Sequence, residues 1–212
     1  MAENGNLISK ADMDFIKQKI SEANNKTLSL LDRNLKVMGY ITWLLEKYGS
    51  KPIVVGGHAV ELYTLGNYTT VDIDLILDNR EAAYDILGRL GFEKKQGFRH
   101  WYHAELGIPI EIPDDILAGS YEKVLTLELE DDFVVYVIGI EDLIMDRVKA
   151  AAYWKHESDK EWALLLMSAN YHEIDFEYLI EEAKKEWKAE NNRQVYDLII
   201  KLKQVAKELV ES

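Results

Sequence analysis

Residues 53–75 read IVVGGHAVELYTLGNYTTVDIDL. A β-branched run at 52–55 predicts a short buried strand that ends at the pair Gly56–Gly57. HAVELYTLG (58–66) then suits a short helix stopped by Gly66, and TVDIDLILD (70–78) alternates as a second strand. Asp72 and Asp74 stand inside that strand, a costly place for carboxylates. Residues two apart on a strand share a face, so both aspartates are expected to point one way while Val71, Ile73 and Leu75 face the core. Two such charges ~5 Å apart repel by ~3 kcal/mol at an effective dielectric near ~20. Water on an open sheet face dilutes that cost, and a divalent cation removes it.

A third acid follows in GIPIEIPDD (107–115), where Ile110 and Ile112 share a face and Glu111 takes the other. If this strand pairs beside 71–77, Glu111 joins the aspartates. Three carboxylates on rigid strands make a hard oxygen site suited to Mg²⁺ or Mn²⁺, ions that keep waters and bind substrate phosphates. A lone D-x-D reads more simply as one solvated face of a strand. The glycine pair shifts the balance, because a strand-to-helix junction presents free N–H groups and the positive end of a helix to a phosphate. Glycine lets that phosphate approach the backbone.

The rest of the chain frames this stretch. Apolar residues at helical spacing occupy 10–48, and NREAAYDILGRLGF (79–92) reads as a helix with Asn79 as cap and Gly91 as stop. Residues 92–137 read mostly as strand and turn, with Asp131–Asp132 turning the last hairpin. Everything after Ile140 is helical in pattern. The fold class is therefore α+β, a mixed β-sheet core flanked by N-terminal helices and a C-terminal helical bundle, with expected bounds 1–50, 51–140 and 141–212. Helices from both termini are expected to join in one bundle.

A net charge of −13 sets the surface against duplex nucleic acid, which is bound largely through Lys and Arg. FEKKQGFRHWYH (92–103) gathers Lys94, Lys95, Arg99 and two histidines, and its plainer reading is a solvated hairpin with His100 and His103 at the surface. The chain has no cysteine, which excludes disulfides and thiolate metal sites and suits a reducing cytoplasm. Neither a signal-peptide pattern nor a membrane span is expected. Trp101, Trp154, Trp162 and Trp187 are expected to pack a sheet-to-helix seam.

Three segments together, VVGGHAVEL (54–62), TTVDIDLIL (69–77) and IPIEIP (108–113), resemble the nucleotidyltransferase superfamily, whose minimal fold is shared by DNA polymerase β-like and CCA-adding enzymes. The resemblance covers roughly 50–160. VIGIEDLIMDRVKAAAYWKHESDKEWAL (137–164) is also similar to the helix after the catalytic core in small members related to abortive-infection and toxin–antitoxin proteins. It implies transfer of a nucleoside monophosphate from an NTP to an acceptor hydroxyl, with pyrophosphate released. Asp72, Asp74 and Glu111 would be the catalytic and metal-binding acids, Gly56 and Gly57 the phosphate cradle, and Thr70 a group orienting Asp72. His58 either donates to a phosphate or simply starts the helix. Small members carry a cation before Asp-x-Asp where this chain has GNYTT (66–70), so Arg147 and Lys149 are the candidates to supply it, or else they pair with Glu141 or Asp146. A haloacid-dehalogenase phosphatase or a glycosyltransferase fits the spacing poorly. The rival is a binding module on the same fold, an antitoxin or regulatory partner whose acidic surface masks a basic protein.

Overall fold

Capping side chains start the helices at the places where the sequence supplies them. In the computed structural model, which describes residues 7–25, 27–94, 97 and 99–212, Ser9 and Asp12 close a reciprocal capping box at the start of α1 (Lys10–Ala23). Ser29 caps α2 (Leu30–Glu46) by accepting from the Asp32 N–H at 3.0 Å. Asn79 does the same for α4 (Arg80–Arg89), accepting from the Ala82 N–H at 3.1 Å. Between them lie β1 (Ile53–Val55), α3 (Gly56–Tyr63) and β2 (Ile73–Ile76). Strands β3 (Glu93–Lys94), β4 (Trp101–His103), β5 (Ile108–Glu111), β6 (Leu125–Glu128) and β7 (Val134–Val137) follow. The expected cation Lys95 lies outside the described residues.

Backbone pairing joins these strands into one mixed sheet of order β3-β4-β5-β2-β1-β7-β6. The pairs β1–β7 and β2–β5 are parallel and the others antiparallel. Asp131 and Asp132 turn the β6–β7 hairpin with φ of 59° and 62°, a conformation that a short polar side chain tolerates better than a branched one. Val71 does not continue the buried face of β2. It precedes the paired segment and is 60% exposed, whereas Ile73 and Leu75 are buried.

The chain divides into two compact units. One contains the sheet with α1, α2 and α4, so the N-terminal helices group with the strands and not with the C-terminal helices. The reason is aromatic. Phe133, 3% exposed at the start of β7, meets Tyr40 edge-on at 4.8 Å between centroids, and Phe15 and Trp43 close the same cluster. Gly39 lets this helix approach, because a Cβ there would meet Leu129 Cδ1 at 2.8 Å.

The second unit holds 59–68, 118–123 and the helices α5 (Ile140–Trp154), α6 (Glu157–Ala169), α7 (Phe176–Glu190) and α8 (Gln194–Glu211). Buried Glu141 and Asp142 stand in the first turn of α5, where negative charge is favoured. Glu141 accepts from the Asp175 N–H at 2.8 Å, and Asp142 accepts from the Ser120 N–H and the Tyr178 hydroxyl, each at 2.8 Å. Of these four tryptophans only Trp101, whose ring packs at a tilt against Tyr84 of α4, sits on the expected sheet-to-helix seam. Trp162 meets Tyr68 and Trp187 meets Tyr196 within the helical unit, while Trp154 is 71% exposed. Among the described residues no helix is long and apolar enough to cross a membrane.

Truncating Phe133 to Ala should cost about 3–5 kcal/mol of stability, because it empties the centre of the aromatic cluster. Urea unfolding of Phe133→Ala and Phe133→Leu tests this. An alanine variant as stable as wild type would show that the cluster does not hold the N-terminal helices to the sheet.

Candidate active site

Strand register decides which acids meet. Asp74 and Glu111 are direct partners on the parallel strands β2 and β5, and Asp74 is also the partner of Val55 on β1. Paired residues on adjacent strands point to the same side, about 4.8 Å apart along the sheet. Their neighbours Ile73 and Ile110, paired likewise, are both 0% exposed on the opposite face. Asp72 precedes the paired part of β2 and is exposed, so it stands at the strand's mouth and not within it. Thr70 is half-buried in the loop before it.

The glycine turn lies directly against this row. Gly56 opens α3 with φ of +63°, and a Cβ at that position would collide with the Asp74 carboxylate, with Cγ at 3.2 Å. The helix thus begins at Gly56, two residues before the expected start at His58, and both glycines belong to its first turn. The open side of Gly56 that was expected to admit a phosphate is occupied by Asp74 Oδ2. A carboxylate at that place is favoured by the positive end of the helix.

Other expected members are placed differently. His58 is 0% exposed, and burial pushes its pKa from 6.5 down to about 4, so it is a neutral interior group and no surface phosphate donor. It follows a glycine pair and precedes AVEL, so the turn of α3 carries its side chain inward. Arg147 binds Asp146 and, at 3.0 Å, the buried Asp159, while Lys149 binds Glu186 at 2.6 Å. Both cations are therefore committed inside the helical unit, Arg147 to one of its two expected partners. Glu141, the other expected partner, faces Lys123 at 3.8 Å.

Glu111 has neighbours that spacing alone did not indicate. Trp101 pairs with Ile110, so the antiparallel register puts His100 opposite Glu111. His100 Nδ1 lies 3.5 Å from Glu111 Oε2, and Arg99 Nη1 lies 3.9 Å from Glu111 Oε1. Neither histidine of the hairpin is a bystander, since His103 Nδ1 accepts from the Leu106 N–H and its ring packs edge-on against Phe92. Among the described residues no group of three or more His, Asp or Glu side chains is disposed to hold a metal ion; strand register sets Asp74 beside Glu111, and Asp72 stands at the exposed mouth of β2. Two carboxylates with waters and substrate phosphates are nonetheless an ordinary donor set for Mg²⁺. No protein-family model matches the sequence, and no curated protein matches it.

Two measurements test this geometry. Gly56→Ala should destabilise by about 1–2 kcal/mol for the left-handed backbone, and further for the collision with Asp74. In the double variant with Asp74→Ala the collision disappears, so the two changes should couple by about 0.5–3 kcal/mol; additive costs would place the carboxylate elsewhere.

The second concerns pH. Because His58 binds a proton below about pH 6.5 when unfolded and only near pH 4 when folded, its contribution is present above 6.5 and is lost as pH falls toward 4. That window is worth about 3 kcal/mol. Unfolding of wild type and His58→Gln across it should show a flatter acid limb for the variant, and equal slopes would exclude His58 as the cause.

Proposed function

We propose that the chain is a metal-dependent nucleotidyltransferase, moving a nucleoside monophosphate from an NTP to an acceptor hydroxyl and releasing pyrophosphate. The observation that carries this reading is the row Gly56–Asp74–Glu111. It joins a glycine turn at a helix start to two carboxylates in register on rigid strands. The resemblance of residues 54–62, 69–77 and 108–113 to that superfamily points the same way. Mg²⁺ or Mn²⁺ bound there would neutralise phosphate charge and sharpen the attacking hydroxyl.

The chain's own residues have separate tasks. Asp74, which rests against Gly56, offers one oxygen on the phosphate side, and Asp72 offers a second at the open edge. Swinging Asp74 off the glycine would free the first-turn N–H groups of α3 for the β- and γ-phosphates. Glu111, 17% exposed, takes the proton of the acceptor hydroxyl. The oxygen so freed attacks the α-phosphorus, the bond to the β-phosphate breaks, and pyrophosphate leaves. The absence of cysteine suits a cytoplasmic setting for this chemistry.

A second reading keeps the fold as a binding module of antitoxin or regulatory type. It is favoured by the commitment of Arg147 and Lys149 to internal ion pairs and by the net charge of −13, which complements a basic protein partner. Pyrophosphate release separates the two. Wild type supplied with each α-labelled NTP, Mn²⁺ and cell extract should release pyrophosphate and label an acceptor. Asp72→Asn and Asp74→Asn should abolish both, and Glu111→Gln should slow transfer by about 10²–10⁴-fold. No release by wild type with any NTP, together with a protein partner captured equally well by Asp74→Asn, would leave the binding module standing.

A further inference from the structure

The sheet orders its chemistry from one flank to the other. The glycine turn ends β1, Asp74 lies on β2, Glu111 on β5, and Arg99 and His100 lead into β4, in the strand order β1-β2-β5-β4. Three strand steps of ~4.8 Å put ~14 Å between the glycine turn and the strand that Arg99 enters. That is too far for Arg99 to serve a phosphate lying on Gly56. Arg99 and His100 instead flank the opposite side of the acid pair, beside Glu111, where the attacking hydroxyl belongs.

Arg99 is available there. Its side chain is 85% exposed, and at 3.9 Å from Glu111 it makes a solvent-screened surface ion pair that contributes little to stability. Diverting it to a ligand therefore costs little, and its planar fork matches phosphate oxygens in a bidentate way. His100 adds a polar atom to the same flank. Its Nδ1 is buried, faces Glu111 at 3.5 Å, and has no hydrogen-bond partner among the described residues. These two side chains are disposed around the acid that meets the acceptor, in a protein whose net charge of −13 otherwise repels anions.

We infer that Arg99, assisted by His100, is an acceptor-binding residue, and that the acceptor is a small molecule carrying a phosphate group near its reactive hydroxyl. The inference rests on the transfer reading above for the word acceptor. A small phosphate ester suits the site better than a nucleic-acid strand. A strand brings many phosphates against the overall negative charge, whereas one phosphate needs only the local cation.

Glycerol 3-phosphate, with glycerol as the phosphate-free control, probes this by titration calorimetry in Mg²⁺ buffer. Wild type should bind the ester at least about tenfold tighter than glycerol, Arg99→Gln should erase about tenfold of that affinity, and Arg99→Lys should restore part of it. Thermal unfolding of Arg99→Gln should stay within a degree or two of wild type, since surface pairs contribute little. An Arg99→Gln protein that binds the ester as wild type does, or a wild type without preference for the ester, overturns the inference and leaves nucleotide transfer untouched. Pyrophosphate release that is missing for every NTP while the ester still binds through Arg99 overturns the acceptor role together with the transfer reading. It would make Arg99 part of a phosphate-binding module.

Discussion

The Asp74 carboxylate resting on the backbone of Gly56 ties together a strand, a turn and a helix, and the arrangement of the candidate site follows from it. A side chain larger than hydrogen at position 56 would meet that carboxylate, and φ of +63° is a conformation that L-residues avoid. Strand pairing then carries the constraint outward. With β2 held between β1 and β5, Asp74 faces the same side as Glu111, and the buried isoleucines at 73 and 110 keep both strands from slipping by one residue. Slippage by one would exchange carboxylates for isoleucines, so the core enforces the register that the site uses.

Charge in this protein is sorted by place. In the helical unit nearly every described cation near an acid is bound to it at close range. Arg147 is held by Asp146 and Asp159, Lys149 by Glu186, and Lys123 by Asp175 at 2.9 Å. Such pairs organise α5, α6 and α7 and leave little cationic capacity for a ligand. In the sheet unit the row of acids has a looser counterpart in Arg99 and His100, at separations longer than a good hydrogen bond. Loosely held groups beside rigid ones are what a ligand can recruit at small cost. The exchange of a weak internal contact for a charge-assisted bond to substrate is favourable where the protein partner is solvated.

Local signals carried most of the architecture. The caps Ser9, Ser29 and Asn79, the Asp131–Asp132 turn and the alternation of 73–76 and 108–111 depend on residues a few positions apart, so element order and the α+β class were legible. The facing of Asp74 and Glu111 was legible too, given only that their strands pair. Properties that depend on what covers a residue were not. Val71 and Trp154 look like core residues by type but are exposed, and His58 looks like a surface ligand beside glycines but is buried.

By itself the sequence determined periodicity, caps, turns and which acids alternate with apolar residues, because these arise from backbone geometry within one element. Tertiary structure alone decided three further things. Asp74 fills the open side of Gly56, Arg147 and Lys149 spend their charge on neighbouring helices, and Arg99 with His100 meets Glu111. Each is a contact between residues distant in sequence or carried on different elements. Burial and strand order set it, and neither is written in local spacing.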